Sequence, residues 1–80
     1  MTEREQINLK YFDFTDREYI DEIVMRSIGV LDVFGKMEID VYYKDHSIKE
    51  YVLFSPIDTN KLKELLEKDN LYKKTKLYQF

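Results

Sequence analysis

Tyr42, Lys49, Tyr51, Tyr72, Lys74, Lys76 and Tyr78 interleave aromatic rings with lysines along two stretches of this chain. On strands, such a pattern is what a single-strand nucleic-acid platform uses: rings stack bases, and lysines follow phosphates. The same tyrosines suit a protein interface, where Tyr is enriched. They also suit a half-exposed sheet with no partner, because strands favour aromatic residues. Acidic Glu38, Asp40 and Glu50 lie among them and oppose phosphate binding.

A second group, Asp13, Asp16, Glu18, Asp21 and Glu22, concentrates carboxylates. It lacks the spacing and the central Gly of a calcium loop, and no His joins it at a metal-ligand spacing. Capping and a solvated helix face account for most of these acids. The functional reading is an acidic docking surface that meets a basic partner through Asp16, Asp21 and Glu22. His46 is the single histidine, and it sits in the turn-like run Asp45-His46-Ser47. A general base needs an orienting carboxylate and a cleft, so an exposed turn histidine is the expectation. Gly29 and Gly35 do not fall in a phosphate-cradling run. No catalytic residue, metal or cofactor is expected, and the chain reads as non-enzymatic.

Composition narrows the class. Eighty residues make one domain with a single core, 1–80. Seven Tyr and five Phe bury large areas on few residues, and 44% hydrophobic content argues for a folded chain. The absence of Cys removes disulfides, thiolate metal sites and cysteine nucleophiles. Met1–Gln6 carries no apolar signal-peptide core, and no apolar run reaches membrane-spanning length. A cytoplasmic location without membrane contact is therefore expected. Net charge is -3, but the first forty residues hold ten acids and five bases, whereas the last forty hold six acids and eight bases. Such polarity steers partners or draws the two halves of the fold together.

The elements follow from pattern. Ile7 to Phe14 alternates like a strand. Thr15 and Glu18 form a capping box, with Phe14 and Tyr19 as its hydrophobic staple, and this predicts a helix over residues 15–28. Tyr19, Ile20, Ile23, Val24 and Ile28 would be its inward stripe, and Gly29 its stop. Met37, Ile39, Val41 and Tyr43 share one face of a strand. Gly35-Lys36 reads either as a hairpin turn or as a bulge. Ile48 to Phe54 is the strongest strand. A second helix opens at Ser55-Pro56 or at Asp58 and buries Leu62, Leu65 and Leu66. Leu71 to Gln79 is the last strand.

This order is similar to the ferredoxin-like βαββαβ layout: an α+β domain whose antiparallel sheet carries two helices on one face. The alternative is a β-meander with a C-terminal helix and a final strand. In that layout residues 30–80 resemble the small Lys-Thr-Ser-Cys domains, although this chain has no Cys. Lys49–Phe54 has the alternation of the RNA-recognition-motif octapeptide without its glycines. In the two-helix layout Ile39, Val41, Val52 and Phe54 would face the helices. Tyr42, Tyr51 and Tyr78 would then line the open face. The expected function is a small protein-interaction domain, of the kind that serves as a phage- or mobile-element-encoded inhibitor or a small bacterial regulator. Its partner would meet Tyr42, Tyr51 and Tyr78 or the acidic Asp16, Asp21 and Glu22. Nucleic-acid binding through Lys49, Tyr72, Lys74 and Lys76, and homodimerisation through the open face, are the alternatives.

Overall fold

The computed structural model describes residues 3–30, 34–54 and 56–79. Five strands form one sheet: β1 (Glu5–Gln6), β2 (Ile20–Val30), β3 (Phe34–Tyr43), β4 (Ile48–Phe54) and β5 (Thr75–Gln79). One α-helix, α1 (Thr59–Lys68), joins β4 to β5. The sheet order is β1-β4-β3-β2-β5. β2, β3 and β4 are an antiparallel meander, whereas β1 pairs parallel with β4 and β5 pairs parallel with β2. Every strand except β3 therefore points the same way.

The ferredoxin-like layout with two helices on one face is overturned. Residues 20–28, expected within the first helix, belong to the long central strand β2 (Ile20–Val30). Asp16 has φ 48 and ψ 46, a left-handed geometry incompatible with the expected cap, and only a 3-10 turn over Arg17–Tyr19 follows. The stripe Ile20, Ile23, Val24 and Ile28 has helical spacing, but the segment is apolar at adjacent positions and can also form a strand with apolar residues on both faces. As a strand it sends Ile23, Met25 and Ser27 inward, against Val41, Ile39 and Met37 of β3. β-branched residues favour that choice, and pairing on both sides of β2 secures it. Gly29 does not stop a helix: it lies opposite Gly35 in the β2–β3 ladder, and both glycines have positive φ. Gly35-Lys36 is thus within β3, and the connection at residues 31–33 lies outside the described residues. The meander with a C-terminal helix and a final strand is the part of the expectation that fits.

The second helix forms as its sequence directs. Asp58 caps it, accepting from the Lys61 backbone N–H at 3.0 Å. Of the expected Ser55-Pro56 start, Ser55 lies outside the described residues, and Pro56 is not the first helical residue, because the helix begins at Thr59. Leu62, Leu65 and Leu66 are buried at helical spacing. Asn70, with φ 58, ends the helix. There Leu71 N–H donates to Leu66 and Asn70 N–H to Glu67, which is a Schellman closure.

One core results, on one face of the sheet. α1 covers part of it. The crossing segment between β1 and β2 covers the rest, burying Leu9 and Phe14 with Phe12 packed beside them. Phe12 sits edge-on to Phe14 at 5.0 Å and to Tyr51 at 5.1 Å. Arg17 also reaches Asp69, beyond the end of α1, at 3.2 Å. Tyr43 donates to the Thr15 carbonyl at 2.9 Å and pins the segment from the sheet side. Burial, then the nearby Tyr51, Asp16 and Asp45, push the Tyr43 phenol up to about 12.

Tyr51 therefore belongs to the core, being only 5% exposed. Its cross-strand partner is Ile39, so both point toward the helix side. The expected parity of β4 was offset by one residue: Val52 and Phe54 face away from the helix, opposite Glu38 and Lys36. Tyr51→Ala is expected to cost about 3–5 kcal/mol in urea denaturation, the usual cost of emptying a buried aromatic site. A cost below about 1 kcal/mol would place the ring at the surface.

Candidate functional site

The face away from α1 is not a row of tyrosines. Its centre is ionic. Asp40, on the middle strand β3, has a side chain only 8% exposed and lies between two arginines. Arg4 approaches from the β1 side and donates to Asp40 Oδ1 at 2.6 Å, while Arg26 on β2 donates to Oδ2. Arg4 also meets Glu38 at 3.0 Å and Glu50 at 3.6 Å. Arg26 lies 3.7 Å from Glu38. Burial alone would raise the Asp40 pKa, but the hydrogen bonds and charges of Arg4 and Arg26 outweigh it and hold the carboxyl below its ordinary value. The same pairing holds the Arg4 guanidinium above its own, against the opposing effect of burial.

The expected site residues divide. Tyr42 is half-buried on this ionic face, and Tyr51 is in the core. Asp16 and Asp21 are exposed, Asp16 before a 3-10 turn and Asp21 at a register irregularity of β2, so there is no acidic helix face to carry them. Lys49 sits over the Tyr43 ring at 5.7 Å, on the same side of the sheet as Tyr51. The remainder gather at one end. Tyr72 and Lys74 form a 3-10 turn that leads into β5, which carries Lys76 and Tyr78. Lys74 Nζ donates to the Ile20 carbonyl at 2.8 Å, and Lys76 lies 3.6 Å from Glu22. Among the described residues no group of acids and histidines is placed to hold a metal.

β5 is the sheet margin. It pairs with β2 on one side, and no described strand lies on the other. An edge strand presents unpaired N–H and C=O groups, a template for another strand. Leu77 points to the helix side, opposite Met25, yet is 56% exposed. Beside it runs a groove of about 330 Å³ whose lining includes Met25, Met37, Leu62, Leu66 and Tyr72. Tyr78, 48% exposed, lies on the other face of the same strand, opposite Arg26. Leu77 was missed because a leucine in an alternating strand reads as core. Its exposure follows from β5 being outermost, which local pattern does not reveal. The Arg4–Asp40–Arg26 network was missed because its members are distant in sequence.

No protein-family model, curated protein or solved structure matches this chain. No helix among the described residues is long and apolar enough to cross a membrane.

The ionic centre yields a pH-dependent prediction. A lowered pKa means Asp40 stabilises the fold fully above its ordinary value of 3.8, and that contribution is lost as pH falls toward the folded value. Asp40→Asn is expected to cost about 3 kcal/mol in denaturant unfolding at neutral pH, because it leaves two arginines around a neutral group. The gap from wild type should shrink on acidification below the ordinary value and close once pH passes below the lowered folded value, where wild-type Asp40 is itself protonated. A gap that stays constant with pH would contradict the assignment.

Proposed function

We propose that this chain is a non-enzymatic protein-interaction domain that holds an extended segment of a partner along the outer edge of β5. The observation that carries this is the free edge of β5 with exposed Leu77 beside an apolar groove. Backbone pairing along the edge supplies affinity, and alternate side chains of the added strand enter the groove and supply selectivity. Tyr72 and Tyr78 flank the position with amphipathic rings suited to an interface. A domain of this size with one such edge suits a small inhibitor or regulator acting on a cytoplasmic protein.

The open face is a poorer candidate. Its central charges are engaged with one another, so a partner docking there must break or bury paired ions. The nucleic-acid set is not gathered into a track: Lys49 lies over Tyr43, and Lys74 is turned to the Ile20 carbonyl.

Peptides selected from a random display library against the purified protein test this reading. Titrated into labelled protein, they are expected to shift the amides of Thr75–Gln79 and of Leu62–Leu66, and Leu77→Asp should weaken them at least tenfold, about 1.4 kcal/mol. Shifts centred on Glu38, Asp40 and Tyr42, unaffected by Leu77→Asp, would overturn it.

A further inference from the structure

We propose that the segment accepted by β5 alternates apolar and acidic residues, with the apolar set turned to the groove and the acidic set to the opposite face, which carries Lys76. The inference rests on the reading of β5 as a strand-accepting edge and adds the chemistry of the occupant.

Successive side chains of an added strand point to opposite faces of the sheet. On the helix side the strand meets Leu77 and the groove lined by Met25, Leu62 and Leu66, so that half of its residues is apolar. On the other side it meets Lys76 and Tyr78. Two further cations stand on the helix side and add to the positive potential of the edge without facing the acidic set directly. Lys63 lines the groove from α1, and Lys73 stands beside Tyr72. Among the described residues, neither Lys63 nor Lys73 has a carboxylate within salt-bridge distance. Lys76 has Glu22 at 3.6 Å, but both side chains are well exposed, and such a pair is weak enough to be shared with a newcomer. Glu67 shares the hollow of Lys73 and Tyr72. Around this edge lysines thus outnumber carboxylates, in a chain whose net charge is -3.

A second copy of the chain is the competing occupant. In the antiparallel arrangement that pairs all of Thr75–Gln79, Leu77 faces Leu77 and Lys76 faces Tyr78. That arrangement sets two lysine-rich edges side by side. The two copies of Lys76 are then diagonal neighbours on one face, and an acidic strand replaces that repulsion with attraction.

The test uses the full chain and two short blocked peptides, one alternating Leu and Val with Glu, the other with Lys in place of every Glu. Binding is followed by anisotropy and mapped by amide shifts. The acidic peptide is expected to bind about tenfold more tightly at low salt, the size expected when a few exposed charge contacts change sign. The gap should narrow as salt rises. Replacing exposed Lys76 by Gln should reduce the preference several-fold, and replacing Lys63 and Lys73, on the helix side, should reduce it less. Equal binding of both peptides on β5 would overturn the acidic preference and leave the strand-accepting edge standing. So would a chain that binds neither peptide and dimerises with its β5 amides protected, the occupant then being a second copy. Binding of neither peptide to a monomeric chain whose β5 amides do not respond would remove both the preference and the edge reading.

Discussion

The fold turns on a carboxylate that is buried on the face of the sheet that lacks a helix. Asp40 sits on the middle strand with its two oxygens taken by arginines from opposite sides. A charge there is tolerable only while both partners stay, because the desolvation cost of a lone buried ion exceeds what any single surface contact returns. Arg26 is supplied by the neighbouring strand β2, through antiparallel pairing. Arg4 is not local: it arrives only if the N-terminal segment lies along β4, where Glu5 and Gln6 make a two-residue parallel ladder. Placing β1 there obliges the chain to cross over β4 and β3 before entering β2. That crossing segment brings Leu9, Phe12 and Phe14 onto the part of the core that α1 does not reach. The ionic centre on one face and the apolar core on the other are therefore coupled through the position of β1. Whether such a network adds net stability is a separate matter. Buried ion networks are better attested as devices that fix one arrangement over others.

With both faces accounted for, the proposed binding rests on the margins of the sheet. The β1 margin is two residues long. The β5 margin is five residues long, parallel to its neighbour, and carries an apolar side chain that its own core only partly covers. Proteins usually blunt such an edge with charge, proline or a covering loop. Here Lys76 supplies charge on one side of the strand only, which discourages indiscriminate pairing and leaves the groove side open.

Sequence made the second half of the molecule legible. Alternation in Met37–Tyr43 identified the inward face of β3, and Asp58 with Leu62, Leu65 and Leu66 located α1, since capping and helical spacing are local signals. The first half was misread for a physical reason. Ile20, Ile23, Val24 and Ile28 have helical spacing, yet the same β-branched residues serve a strand with apolar side chains on both faces, and Thr15 with Glu18 imitates a helix start. The decision between helix and strand is made by β3 and β5, which pair with β2 on either side, and by the left-handed Asp16. Tyr51 was placed on the wrong face because Tyr51-Val52-Leu53-Phe54 is apolar throughout, so its parity is set by the turn at Asp45–Ser47 and not by alternation. Of the candidate site, Tyr72, Lys76 and Tyr78 were legible as chemistry. Leu77 and the groove depend on strand order, which no local pattern encodes.

Residue-resolved amide hydrogen exchange of the unbound protein tests the central claim most directly, because it separates the sealed middle of the sheet from its open edge. Amides of Glu38–Val41 should exchange only through global unfolding, while those β5 amides that point away from β2 exchange far faster. Comparable protection along β3 and on both sides of β5 would mean that the edge is already covered, contradicting the account of β5 as the binding margin.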